Sequence, residues 1–264
     1  MRMLTSAAAI AAATALATPA AAVTLIVDPI TATWSNVLGG ANLENINPGT
    51  ANTTIRWGGN VPTSQKSGYN YTAAAVPINV AVVVNGSSAG FNLGTFTHFN
   101  NPIPLGTSIT GATLTVTYGL AIDDGVNPIV NLGLKNSVFL FDHFETPNAD
   151  NPCADGGANG VGVNSNGCAD RVRVSLDEGV SDFFTINNVD YFLTIAGFTV
   201  DGIGKTEFWT REQAENPAQL LGSVTARGVT PTIPEPATWA MLIAGFGMVG
   251  LGMRRRTGIA RVGA

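Results

Sequence analysis

Between Ala112 and Ile122 the chain alternates without a break: Ala112, Leu114, Val116, Tyr118, Leu120 and Ile122 share one parity, and Thr113, Thr115, Thr117, Gly119 and Ala121 the other. A period of two belongs to a β-strand, so one face turns inward and a Thr-rich face outward. Shorter apolar or alternating runs predict further strands over 23–27, 30–34, 53–57, 78–84, 91–100, 129–134, 138–143, 171–176, 182–186, 191–200 and 222–226. Turn pairs separate many of them, at Asn85-Gly86, Asp124-Gly125, Asn187-Asn188 and Asp201-Gly202. Only 210–221 invites a short helix, and Pro217 limits it. With 31 Gly, 14 Pro and 12% charged residues, the pattern predicts an all-β chain, a loop-rich, jelly-roll-like β-sandwich. Residues 23–229, roughly 200 in number, are enough for one core.

The two ends do not fit that pattern. Arg2, the Ala-rich apolar stretch from Leu4 to Leu16, Pro19 and then Ala20-Ala21-Ala22 read as an N-terminal signal peptide over 1–22, cleaved after Ala22. At the other end, Pro234-Glu235-Pro236 precedes an apolar run from Ala237 to Met253 and the triplet Arg254-Arg255-Arg256. As a helix, at about 1.5 Å per residue, that run covers roughly 25 Å, a little short of a hydrocarbon core of about 30 Å. Snorkelling arginines and local thinning absorb the difference. A transmembrane helix over 237–253 is therefore expected, with Trp239 at one interface and the arginines holding 257–264 on the cytoplasmic side. Residues 230–233 are left as a linker.

Charge narrows the partners of the body. Of 13 Lys and Arg, Arg2, Arg254, Arg255, Arg256 and Arg261 lie in the two ends; of 18 Asp and Glu, only Glu235 does. The body keeps 8 basic against 17 acidic residues, which disfavours nucleic acid and anionic headgroups as partners.

The residues Pro234-Glu235-Pro236-Ala237-Thr238-Trp239-Ala240-Met241-Leu242-Ile243-Ala244-Gly245-Phe246-Gly247, with the arginines that follow, resemble the PEP-CTERM sorting signal of Gram-negative bacteria, here over 234–256. The resemblance implies export, inner-membrane anchoring and processing near the Pro-Glu-Pro by an exosortase, a membrane cysteine protease. It also implies release to the cell surface or extracellular matrix, commonly in bacteria that make exopolysaccharide. A second resemblance covers most of 91–174. Phe96-Thr97-His98-Phe99-Asn100-Asn101-Pro102-Ile103, then His143-Phe144-Glu145-Thr146-Pro147-Asn148, and then a cysteine pair followed by Ala169-Asp170-Arg171-Val172, are similar to the Thr-His-x-Asn family of PEP-CTERM proteins. That likeness brings no assigned biochemistry with it. In a strand over 91–100, Phe96, His98 and Asn100 share a face, so the two polar groups either hydrogen-bond a neighbouring loop or meet a ligand.

Cys153 and Cys168 bracket a stretch of Gly, Asn and Val with little to pack, and in an exported chain they read as one disulfide, a metal pair or free thiols being the alternatives. Closing such a loop contributes up to about 3 kcal/mol. Gly86-Ser87-Ser88-Ala89-Gly90 matches G-x-S-x-G in form, but a strand and not a helix follows it, so a turn is expected. No H-E-x-x-H, P-loop or dinucleotide fingerprint occurs. His98 and His143 with Asp142 and Glu145 form one set that could converge on a cation. Asp150, Asp155 and Asp170 offer carboxylates for Ca²⁺ without EF-hand spacing. No cofactor and no catalysis are expected, with Ca²⁺ as the alternative to the first. The expected function is that of a surface or matrix protein, and an extracellular glycan-binding module or hydrolase is the alternative. Exposed Trp34, Trp57 or Trp209 beside paired carboxylates would favour the latter. Mass spectrometry of the exported protein should find Val23 as the first residue; an intact Met1 would contradict the reading of the N-terminus.

Overall fold

The computed structural model describes residues 22–176, 183–186, 188–200 and 202–228, together with 243 and 246. Fifteen strands lie among them. In chain order they are β1 (Ala22–Gly39), β2 (Glu44–Ile46), β3 (Asn52–Trp57), β4 (Ser67–Ala73), β5 (Ile78–Val83), β6 (Gly86–Ser87), β7 (Phe91–Asn100) and β8 (Ile109–Asp123). There follow β9 (Val130–Phe144), β10 (Asp170–Leu176), β11 (Phe183–Ile186), β12 (Val189–Val200), β13 (Ile203–Lys205), β14 (Glu207–Thr210) and β15 (Ala214–Gly228). The first sheet runs β14-β10-β9-β8-β1-β5 and the second β11-β12-β15-β7-β4-β3-β2, with β13 beside β12 and β6 beside β15. Each strand pairing is antiparallel.

The all-β expectation holds, and two packed antiparallel sheets are present. The connectivity is more meandering than a jelly roll, since β8-β9-β10 and β2-β3-β4 are each consecutive in sequence and adjacent in space. The alternating run of β8 behaves as its sequence requires: Leu114, Val116, Tyr118, Leu120 and Ile122 are buried, while Thr115 and Thr117 are half-buried on the other face. The runs over 129–134 and 138–143 form one long strand, β9, and those over 23–27 and 30–34 merge into β1. At the junction in β1 the pairing with β8 shifts between Val27 and Ile30. There the Asp28 carbonyl presses on Gly119 so closely that a Cβ at that position would lie 2.1 Å from the oxygen.

The helix expected over 210–221 is absent; this stretch is the turn after β14 and the first half of β15. Pairing overrides propensity here. Pro217 lies opposite Thr97 of β7, beyond Gln219, where pairing with β12 ends, so only one ladder has to tolerate the missing N–H. The disulfide between Cys153 and Cys168 is formed, with Cα atoms 5.3 Å apart.

Residues 1–21 of the signal peptide expected over 1–22, the linker 230–233, the sorting motif, all of 237–253 except Ile243 and Phe246, the arginines and the tail 257–264 lie outside the described residues, whereas Ala22 opens β1. Ile243 and Phe246 are helical and exposed, and among the described residues no helix is long and apolar enough to cross a membrane.

Aromatic rings fill the space between the sheets. Trp34 of β1 and Phe141 of β9 meet at 5.1 Å, Phe96 of β7 stacks on Phe141 at 4.9 Å, and Tyr69 of β4 meets Phe96 at 4.9 Å. Such pairs add about 0.5–1.5 kcal/mol each beyond the area they bury. Gly119→Ala should lower stability by about 1–3 kcal/mol in urea titration, because backbone and not a flexible side chain must move; an unchanged midpoint would refute the close approach.

Candidate functional site

Beyond Phe96 the interior changes character. Phe96, His98 and Asn100 share the inner face of β7, as their parity predicts, and all three are fully buried. Thr97 points to the other face, between Asn70 and Pro217 of the flanking strands. His98 lies beside Tyr69 in register. Across the gap, β9 presents His143, whose ring centroid is 5.1 Å from that of His98. Trp57, at the end of β3, stacks on His98 at 6.0 Å and meets His143 edge-on at 5.5 Å. Asp170 opens β10 beside Thr210, the last residue of β14, and Glu212 follows in the turn to β15.

The hydrogen bonds fix the histidine tautomers. Thr210 Oγ1 donates its one proton to the Asp170 carbonyl at 3.0 Å. The 2.9 Å contact between His98 Nδ1 and Thr210 Oγ1 therefore has Nδ1 as donor. Burial, and then the neighbouring His143, hold His98 well below the ordinary imidazole range, so the ring is neutral and Nε2 is a bare lone pair. On His143, Nε2 lies 3.3 Å from Glu145 Oε2, an acceptor, so Nε2 carries the proton and Nδ1 accepts from the Tyr69 hydroxyl at 2.7 Å. Burial first, then Asp170 and Glu145, keep that phenol protonated.

Three carboxyl groups converge beside the rings. Glu145, Asp170 and Glu212 each bring an oxygen within 4.8 Å of the others, and Asp170 is equally close to a ring nitrogen of His98 and of His143. Burial, followed by the Glu145 charge, pushes Asp170 up to about 9 and Glu212 up to about 7. One oxygen of Asp170, Oδ1, accepts from the Thr146 N–H at 2.7 Å. Asn100 Nδ2 donates to the Thr210 carbonyl at 3.1 Å. With its amide nitrogen turned toward Glu212, Asn148 donates at 3.3 Å to Oε1 and at 3.1 Å to the Cys168 carbonyl.

The disulfide loop is tied to this cluster. Thr146 Oγ1 reaches the Cys168 and Ala169 carbonyls at 3.1 Å, Asn164 Oδ1 accepts from Ala169 N at 2.7 Å, and Asn166 Nδ2 donates to the Glu212 carbonyl at 3.1 Å.

The structure thus brings together His98, Asn100, His143, Glu145 and Asp170, and separates them from Asp142, Asp150 and Asp155. Asp142 faces outward and pairs with Arg171 at 3.2 Å. Asp155 accepts from Asn164 Nδ2 and Gly157 N, while the backbone carbonyl of Asp150 receives Asn159 Nδ2 at 2.9 Å. Ser88 lies in a strand-to-strand connection, its hydroxyl accepting from Val224 N at 2.9 Å and donating to the Ala89 carbonyl at 2.8 Å. Trp34 and Trp57 are buried and offer no face to a sugar, and Trp209 is half-buried. Tyr69, Thr210 and Glu212 had no sequence signal of their own. Tyr69→Phe should cost about 1–3 kcal/mol, because it leaves a buried imidazole nitrogen without its donor. Urea unfolding with an unchanged m-value is the measurement, and a wild-type midpoint would contradict the assignment.

No curated protein matches the chain. A family model, the PEP-CTERM protein-sorting motif, matches residues 232–256, the same stretch that carries Pro234-Glu235-Pro236 and Arg254-Arg255-Arg256. The chain is therefore one that carries the PEP-CTERM protein-sorting motif at its C-terminal end.

Proposed function

We propose that this is an exported, non-catalytic surface or matrix protein, held in the inner membrane by 237–253 until an exosortase-type enzyme processes it near Pro234-Glu235-Pro236. After processing it is retained in or beside exopolysaccharide. The motif over 232–256 carries this reading. An acidic strand-rich body with few cationic groups supports it, since such a surface stays soluble outside the cell and avoids anionic headgroups. The side chains most suited to acid–base chemistry, His98, Asp170 and Glu212, are buried under the disulfide loop, away from any large substrate. Membership of the Thr-His-x-Asn subtype belongs to the same proposal. Its support is that the three stretches carrying the likeness meet at one place, through His98 and Asn100, through His143 and Glu145, and through Asp170.

Replacing Pro234-Glu235-Pro236 by three alanines in the producing strain should leave an unprocessed chain, still bearing its tail, in the membrane fraction. Western blotting against the strand-rich body and intact-mass measurement read this out. A released chain of the same length as the parent's would contradict processing at the motif.

A further inference from the structure

We propose that the cluster between the two sheets is a binding site for one divalent first-row transition-metal ion, held by His98 Nε2 and by carboxylate oxygens of Asp170, Glu145 and Glu212. The site is independent of the C-terminal tail and would persist whatever the fate of the sorting motif.

Three observations carry the assignment. First, His98 Nε2 is buried and without a hydrogen-bond partner among the described residues, while Nδ1–H is fixed on Thr210 Oγ1. An imidazole whose second nitrogen is pinned by an acceptor, leaving the other lone pair free, has the arrangement of a metal-ligating histidine. Second, Asp170 Oδ2 is likewise buried and unpartnered, while Oδ1 is held by the Thr146 N–H. Asp170 is the residue common to two convergent sets, one with His98 and His143 and one with Glu145 and Glu212, and within each set the donor atoms lie within 4.8 Å of one another. Third, among the described residues no Lys or Arg pairs with Glu145, Asp170 or Glu212. Buried carboxylates are stable when paired with a cation or coordinating one, and the described residues supply no Lys or Arg at this point.

The neighbouring residues have supporting parts. His143 Nε2–H and the Ser108 hydroxyl, at 3.3 and 2.9 Å, both hold Oε2 of Glu145, so His143 positions that carboxylate and is not itself a ligand. Asn100 Oδ1, on the same face of β7 as His98, is buried and without a hydrogen-bond partner among the described residues. One imidazole nitrogen among several oxygens is a borderline donor set that suits Zn²⁺ or Mn²⁺, whereas Ca²⁺ takes oxygen alone. With Glu145 as the one partly exposed donor, its side chain 23% accessible, the ion has a route in. The ligands come from both sheets and from the turn beneath the disulfide loop, so the bound ion acts as a structural clasp between β7, β9, β10 and the β14–β15 turn.

The test uses the full chain in detergent micelles, stripped with EDTA and titrated calorimetrically with ZnCl₂, MnCl₂ and CaCl₂. One equivalent of Zn²⁺ or Mn²⁺ should bind per chain, in preference to Ca²⁺, and raise the melting temperature. Asp170→Asn, His98→Ala and Glu212→Gln should each weaken binding at least tenfold. Should a buried variant fail to fold, Glu145→Gln, at the exposed edge, keeps the question open to measurement and should also weaken binding. Zinc-edge X-ray absorption should show nitrogen and oxygen neighbours without sulfur. No bound ion would overturn the proposal and leave a water molecule as the occupant. So would affinity unaffected by these substitutions, a preference for Ca²⁺, or sulfur in the coordination shell.

Discussion

Apolar packing between two sheets is non-directional, but a hydrogen bond across the gap has one geometry. In this protein one such bond joins the Tyr69 hydroxyl on β4 to His143 Nδ1 on β9, at 2.7 Å. Around it Trp57, His98 and Tyr69 form a shell of rings that continues the aromatic core of Trp34, Phe96 and Phe141. The position of the tyrosine relative to the histidine then dictates which way His143 donates, and through it where Glu145 is held. Buried polar networks of this sort specify a single packing when all their members are satisfied, and are costly when they are not.

Polar groups are gathered at one end of the sandwich, where strands stop and loops must be anchored. Thr210 takes protons from His98 and Asn100 and gives its own to the Asp170 backbone, so one hydroxyl ties β7, β10 and β14 together. Thr146, Asn164 and Asn166 fasten the loop closed by Cys153 and Cys168 to the same place. The disulfide therefore constrains the cover of the cluster, not a free-standing loop.

Much of this was legible in the sequence where periodicity speaks directly. The parity of β8 and of Phe96, His98 and Asn100 gave the buried faces, and the pairing of the cysteines followed from the apolar poverty of the stretch between them. Strand β4 escaped notice because Ser67–Ala73 holds only two large rings among small and polar residues, and it is neighbouring β3 and β7 that make it a strand. Residues 210–221 invited a helix because local composition cannot register a partner strand a hundred residues away. Glu212 carried no signal at all: a lone carboxylate in a turn is ordinarily solvated, and its burial depends on Asn148, ahead of the disulfide loop, and Asn166, within it, arriving beside it. The tail was the reverse case, since its order of Pro-Glu-Pro, apolar run and arginines is read from sequence alone.

Everything assigned to the cluster depends on which nitrogen of His98 carries the proton. The chain has only two histidines, so their ring signals are readily distinguished. Long-range ¹H–¹⁵N correlation spectra of the metal-free protein at neutral pH measure the tautomer directly. His98 should be neutral with its proton on Nδ1, and His143 should have its proton on Nε2. A proton on Nε2 of His98, or a doubly protonated His98 ring, would contradict this assignment.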